Sequence, residues 1–270
     1  MYRIGSSPYR DRFILKGALL FHLLDEGEYR PTRVLDLLGY GEFSDEQIKD
    51  LFREFCNMEI EWDGIVFDQE TLSVTEIRAD QEYKGKRVLF LAFLCGARIR
   101  MQVDIAFGDS VSPQAREVSY PTILDLPKPR IKAYPLENVI SEKAHTIASL
   151  GIQNSRMKDY FDIWFLSRNH SFKGEILVKA ITATFNRRNT LIPTQIPLGL
   201  SDDFSRDRVK NKQWDAFITR IGMDKQASVL SRTVDDLRIF LLPLLEAAAT
   251  NKPFYLTWKA GGPWIEEYAD

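Results

Sequence analysis

Cysteine and histidine are scarce in this chain. There are two cysteines, Cys56 and Cys95, and three histidines, His22, His145 and His170. Their scatter offers no zinc-ligand spacing. Two distant cysteines form no disulfide framework and suit a reducing compartment. Charge of one sign is also missing: 36 Lys and Arg against 38 Asp and Glu leave a net charge of −2. No global basic field attracts nucleic acid, although a local basic patch remains open. Apolar runs such as "VLFLAFLCGA" (88–97) fall well short of the roughly 20 residues that cross a bilayer. The opening "MYRIGSSPYRDRF" has early charges and no apolar signal core. A cytoplasmic protein without membrane contact is therefore expected. There is no GxGxxG, no P-loop and no GxSxG, which removes three common catalytic readings. Repeats and low-complexity segments are absent too.

What is present is an ordinary globular composition. The 270 residues are 44% hydrophobic and 27% charged, enough for one large domain or two modest ones. Periodicity gives an order of elements. Phe13, Ala18, Leu20, Phe21 and Leu24 recur at helical spacing, which predicts a helix over 8–25 interrupted at Lys16-Gly17. Residues 33–38 read as a short buried strand. Ser44 with Gln47 has the pattern of a capping box and opens a helix through about Met58. Strands are expected at 64–68, 71–79, 86–94 and 97–107, with Cys95-Gly96-Ala97 as a hairpin turn. In the last strand Ile99, Met101, Val103, Ile105 and Phe107 share one face, and Arg98, Arg100, Gln102 and Asp104 the other.

Pro127, Pro129 and Pro135 suggest a linker. Helices then follow at 136–150 (closed by Gly151), 157–168 and 174–186, near 212–222, and at 233–248 with Thr233 as N-cap. The aromatic end, 252–264, is not helical. The fold class is α+β: a small mixed sheet with flanking helices in residues 1–130, then a mainly helical C-terminal domain over 131–270.

Three places carry candidate chemistry. Asp36 lies in "RPTRVLDLLG" (30–39). Strands that hold catalytic metals often carry two acids at i and i+2, which face the same way. Here the i position is Val34. Asp104, on the polar face of its own strand, could supply another carboxylate. The plainer reading is that Asp36 pairs with Arg33 or Lys16. In "ENVISEKAHTIASLG" (137–151), Lys143 falls beside the apolar stripe, where a lysine either snorkels to solvent or is held inward for an anion. In "NSRMKDYFDIWFL" (154–166), Asp159 and Asp162 share a helix face behind Arg156 and Lys158. That set binds a nucleotide, organises a lysine, or is a solvated helix start. Arg187, Arg188, Arg206, Arg208, Lys210 and Lys212 are candidate phosphate contacts, or ordinary solvated charges.

These segments, with "RFILKGALLFHLL" (12–24) and "QVDIAFGD" (102–109), stand in an order that resembles the AbiEii family, nucleotidyltransferase-like toxins of abortive-infection toxin–antitoxin systems. The resemblance covers most of the chain, through "ATFNRRNTLIPTQIP" (183–197). It implies a minimal nucleotidyltransferase core with a helical C-terminal region. It also implies transfer of a nucleotide from an NTP, with Mg2+ or Mn2+, onto an RNA acceptor such as the 3′ end of tRNA. A cognate antitoxin, a winged-helix protein encoded alongside, is the implied partner.

The resemblance also assigns roles. Lys16 and Gly17 match a Lys-Gly-Gly turn facing the triphosphate, with Ala18 where the second glycine stands. Asp36 and Asp104 match metal-binding acids. Lys143 matches a lysine that neutralises phosphate charge, and Asp159 and Asp162 match acids that orient it or meet the nucleotide. Arg33, Arg156 and Lys158 match nucleotide contacts. The departure is Val34. The family pattern Arg-x-Thr-Arg-Asp-x-Asp has an acid there, and valine ligates nothing. Losing one carboxylate is worth on the order of 10²-fold in rate.

Three explanations follow for Val34: a degenerate homologue that binds without catalysis, an enzyme working with Asp36 and Asp104 alone, or an inactivating substitution in a harmful toxin. The undecayed surrounding motifs fit the third best. The alternatives in function are a nucleotide- or RNA-binding pseudo-enzyme, and a metal-dependent nuclease, which would not need the Gly17 turn.

Overall fold

The computed structural model describes residues 1–24, 32–60, 63–79, 83–109, 111–122, 125–223 and 229–266. Arg30 and Pro31 of the 30–39 segment lie outside them. The chain divides into two compact units, residues 1–109 with 115–134, and residues 110–114 with 135–270.

The first unit starts with a short helix, α1 (Tyr2–Gly5), and then β1 (Phe13–Lys16), β2 (Leu35–Gly39), α2 (Asp45–Asn57), β3 (Ile65–Ala79), β4 (Tyr83–Leu94), β5 (Ala97–Phe107), β6 (Arg116–Ser119) and β7 (Arg130–Ala133). Among the described residues these strands form one mixed sheet in the order β3-β4-β5-β2-β1-β7-β6. β2 runs parallel to β5, and β1 parallel to β7; the other neighbours are antiparallel.

The expected helix over 8–25 is not formed. Phe13–Lys16 is a central strand, and a 3₁₀ helix, Ala18–Leu23, follows it. Phe13, Ile14 and Leu15 are buried on both sides, at 2%, 0% and 0% exposure. A strand covered on both faces reads as a continuous apolar run, which periodicity does not separate from a helix. The supposed linker likewise contains β7, whose Ile131 and Ala133 are buried. The two strands expected at 64–68 and 71–79 are one strand with a register shift between Asp68 and Ser73.

The other expected elements of this unit are present. The Ser44 side chain caps α2, and Gln47 reaches back to complete the box. Cys95 and Gly96 take φ of 49° and 83°, the backbone of a tight two-residue hairpin turn. Phe52 of α2 packs on Phe90 of β4, so α2 covers the sheet face that carries Phe90.

The second unit holds α3 (Leu136–Leu150), α4 (Met157–Asn169), α5 (Gly174–Arg187), α6 (Asp202–Arg206), α7 (Arg208–Arg220) and α8 (Leu230–Thr250). Three two-residue strands, β8 (Phe172–Lys173), β9 (Thr257–Trp258) and β10 (Trp264–Ile265), make a small second sheet. Tyr160, Phe185, Phe204, Trp214 and Phe240 fill the helical core. α7 begins at Arg208, earlier than expected, because the Asp207 side chain caps it through Val209 N–H and Lys210 N–H. α8 begins at Leu230. Thr233 is therefore not an N-cap: its hydroxyl lies inside the helix and donates to the Val229 carbonyl at 3.2 Å.

Candidate active site

One row of side chains crosses four strands of the large sheet. Lys16 on β1 is level with Asp36 on β2, Asp36 with Asp104 on β5, and Asp104 with Arg87 on β4. Residues paired at one level project to the same face, and neighbouring strands lie about 4.8 Å apart. The sheet thus sets two carboxylates side by side between two cations. The parallel β2–β5 pairing does this, and it joins residues 68 positions apart in sequence (104 − 36).

Each member of the row is held. Arg87 grips Asp104 with two bonds, Nε to Oδ1 and Nη2 to Oδ2, both 2.8 Å. Gln102 adds a third, donating to Oδ1 at 3.0 Å. The bonds to Asp104 raise the Arg87 pKa first; partial desolvation opposes them, and the charges of Asp104 and Asp36 add to them. The Lys16 ammonium lies 2.5 Å from Asp109 and 4.6 Å from the centre of the Tyr134 ring.

Gly17 takes φ 69°, ψ −156°, a backbone conformation essentially confined to glycine. A Cβ there would fall 2.0 Å from Asp36 Oδ2 and 2.6 Å from its Cγ. The glycine is required because the chain turns directly against the Asp36 carboxylate. Arg33 is exposed, and the Val34 N–H donates to the Thr32 hydroxyl at 3.2 Å.

The second unit has its own charged cluster. The Lys143 ammonium on α3 meets Asp159 Oδ1 at 2.6 Å and Asp162 Oδ2 at 2.8 Å, both on α4. The side chains are 17%, 5% and 1% exposed. Burial opposes the lysine's charge, but the two carboxylates overcome it, so its pKa is raised above the ordinary lysine value. Arg156, half-exposed, approaches Asp159 at 3.9 Å. Lys158 is exposed on the first turn of α4.

Among the candidate phosphate contacts, Arg206 pairs with Asp202 at 3.1 Å, and Lys210 and Arg188 are held by partners deeper in the fold. Lys210 is buried and donates to the Asn154 carbonyl at 3.1 Å. Arg188 donates to His145 Nδ1 at 2.9 Å. Because a guanidinium only donates, Nδ1 must accept, so the proton sits on Nε2 and is given to the Thr190 hydroxyl at 2.6 Å. Burial, then the Arg188 charge, lowers the His145 pKa to about 4.

The sequence profile described as "Nucleotidyl transferase AbiEii toxin, Type IV TA system" matches residues 1–241. The chain belongs to the AbiEii family. It is thus a toxin-type nucleotidyltransferase by family, of a class that works with an antitoxin. No curated protein sequence matches it. Two crystal structures share the fold: a protein from H. pylori designated a nucleotidyltransferase, and JHP933 from Helicobacter pylori. Each is 14% identical with a TM-score of 0.50 and covers 93% of this chain; the chain covers 91% and 88% of theirs.

Membership of a nucleotidyltransferase family raises the question of metal. Asp36 and Asp104 are hard oxygen donors at one level, a set that fits a single divalent cation retaining water and substrate phosphate ligands. Residue 34, two positions before Asp36, is valine, which offers a cation no ligand atom. Among the described residues, no three His, Cys, Asp or Glu side chains converge as a metal cage. Gln102 shares the polar face of β5 with Asp104, as the alternation predicts. Arg87 and Asp109 reach their partners only through cross-strand register and side-chain length, which no local pattern signals. Both cysteines are free thiols. Among the described residues no helix is long and apolar enough to cross a membrane.

Proposed function

We propose that this AbiEii protein transfers a nucleotide from an NTP to the 3′ end of an RNA, a tRNA in the first instance, at the Asp36–Asp104 pair. In this reaction the acceptor hydroxyl oxygen bonds to the α-phosphorus. The α–β phosphoanhydride breaks, pyrophosphate leaves with the bonding electrons, and the hydroxyl proton is released to water. A divalent cation, Mg2+ or Mn2+, would be held by Asp36 and Asp104 and would offset the charge growing on the phosphate oxygens.

The chain's own residues do the rest. The Gly17 turn fixes the Asp36 carboxylate by lying against it. Arg87 and Gln102 fix Asp104. Lys16, Gly17 and Arg33 receive the nucleotide phosphates. In the second unit, Asp159 and Asp162 hold and orient the Lys143 ammonium. The antitoxin is a winged-helix protein encoded beside this chain, and the pair acts in the cytoplasm.

The observation that carries the reading is the shared register level of Asp36 and Asp104 with glycine forced against Asp36. Val34 leaves the set one carboxylate short, and the chain is inactivated or slowed by it. The test compares wild type and Val34→Asp with labelled NTPs, tRNA and Mg2+. Labelled RNA from Val34→Asp, at about 10²-fold the wild-type rate or more, supports the reading. No transfer by the restored protein contradicts it.

A second reading, a nucleotide- or RNA-binding pseudo-enzyme, is favoured by one observation: Arg87 and Gln102 already occupy Asp104. It predicts NTP or RNA binding with no covalent transfer by either protein.

A further inference from the structure

The carboxylate pair lies at one end of a longer stripe. Arg98, Arg100, Gln102 and Asp104 alternate along β5 and share one face. Register places Phe93 of β4 beside Arg98, and Leu91 beside Arg100. This is the face opposite to the one α2 covers through Phe90.

Three features of the stripe are unspent. Arg98 and Arg100 are exposed, and neither makes an ion pair among the described residues. Phe93 is half-buried and stacks on no other ring among the described residues. No acid stands beside the arginines on β4, since their cross-strand neighbours are phenylalanine and leucine. Asp68 of β3 is on this face but one strand further out, beyond Leu91.

We infer that this open face of β4–β5 is the track along which the single-stranded 3′ end of the RNA acceptor reaches the carboxylate pair. The inference rests on the RNA-acceptor reading above and extends it. Arginines at i and i+2 on one strand stand about 7 Å apart, and from Arg98 to Asp104 is about 20 Å. That length holds a few extended nucleotides. The guanidinium groups take backbone phosphates, which needs no base identity. The Phe93 ring offers a stacking surface for one base, which is sequence-tolerant for the same reason. An acidic protein surface would satisfy the arginines but has no equal use for an upward-facing ring beside them. The two chemistries together favour a nucleic acid strand, and a single strand in particular, because paired bases offer no free face.

The test uses the full chain and a fluorescein-labelled RNA hairpin with a single-stranded 3′-CCA end. Binding is titrated at several salt concentrations, with NTP binding measured separately. Arg98→Ala/Arg100→Ala should weaken RNA binding by about tenfold or more at low salt. It should also flatten the log–log salt slope by about 1.4, the value for two lost single-strand phosphate contacts. Phe93→Ala should weaken binding about fivefold or more without changing the slope. All three side chains are at least partly solvated, and unchanged NTP binding reports intact folding.

If wild type binds the RNA and the arginine variant binds it equally, the track is elsewhere, although the RNA-acceptor reading stands. The track is likewise elsewhere if the variant keeps its RNA affinity and loses only binding to a protein partner. If wild type binds NTP but no RNA, the acceptor reading fails and the track falls with it.

Discussion

Replacing Lys143 with methionine should destabilise the helical unit sharply. Methionine keeps the length and the apolar stem of lysine while deleting its charge. Asp159 and Asp162, 5% and 1% exposed, would then face each other without the ammonium that lies 2.6 and 2.8 Å from them. Breaking a buried ion cluster by removing one partner costs about 3–5 kcal/mol, because the uncompensated charge stays behind. At about 2–4 °C per kcal/mol for a chain of this size, Tm should fall by about 6–20 °C. Adding Asp159→Asn and Asp162→Asn to Lys143→Met should recover more than half of the loss, since the charge to be compensated is gone.

The pH dependence has a definite sign. The folded state holds the lysine proton more tightly than the unfolded chain does. The stabilisation is therefore complete at neutral pH and is lost as pH rises past the ordinary lysine value of about 10.4. Urea unfolding of wild type and Lys143→Met, at pH 8 and at about pH 11, should show the gap between them narrowing. A variant with wild-type Tm at pH 8, or a gap that widens with pH, would refute the cluster.

Gly17→Ala should cost about 1–3 kcal/mol from backbone strain alone, and more from the displaced Asp36, read as a lower unfolding midpoint; an unchanged midpoint contradicts the turn. Arg87→Gln removes a part-exposed guanidinium from Asp104 and frees its Oδ2, while Gln102 stays on Oδ1, so Mn2+ followed by electron paramagnetic resonance should bind tighter by up to about fivefold. Weaker Mn2+ binding would mean that Arg87 assists the ion. Wild type should lose up to about 3 kcal/mol of stability as pH falls from 6.5 towards 4, because the unfolded chain protonates His145 first, while His145→Gln should show a flatter profile. Nitrogen NMR should find the His145 proton on Nε2.

Much of the fold was legible because its signals are local. The Ser44–Gln47 box, the alternation through 97–107 and the glycine at 151 each act within a few residues, and each element formed where expected. Two of the misreadings share one cause, which is tertiary burial. Ile14 and Leu15 are covered on both faces, so their strand lacks alternation. Ile131 and Ala133 belong to a strand flanked by prolines that look like linker.

The two charged clusters divide in the same way. Asp36, Asp104 and the Lys143 set were visible as residue types at telling positions. Arg87 and Asp109 were not, because only register and side-chain reach bring them to their partners. Lys210 illustrates the reverse: it sits in a basic stretch, yet the fold buries it against the Asn154 carbonyl and the Phe204 ring.

If the carboxylate row on β2 and β5 is nucleotidyl-transfer machinery lacking only a ligand at position 34, supplying that ligand restores transfer. Purified Val34→Asp and Val34→Asp/Asp36→Asn, each given labelled NTPs, tRNA and Mg2+, decide this directly. The single variant should label the RNA 3′ end, at about 10²-fold the wild-type rate or more, and the double variant should not. An inert single variant, or a double variant as active as the single, would contradict the claim.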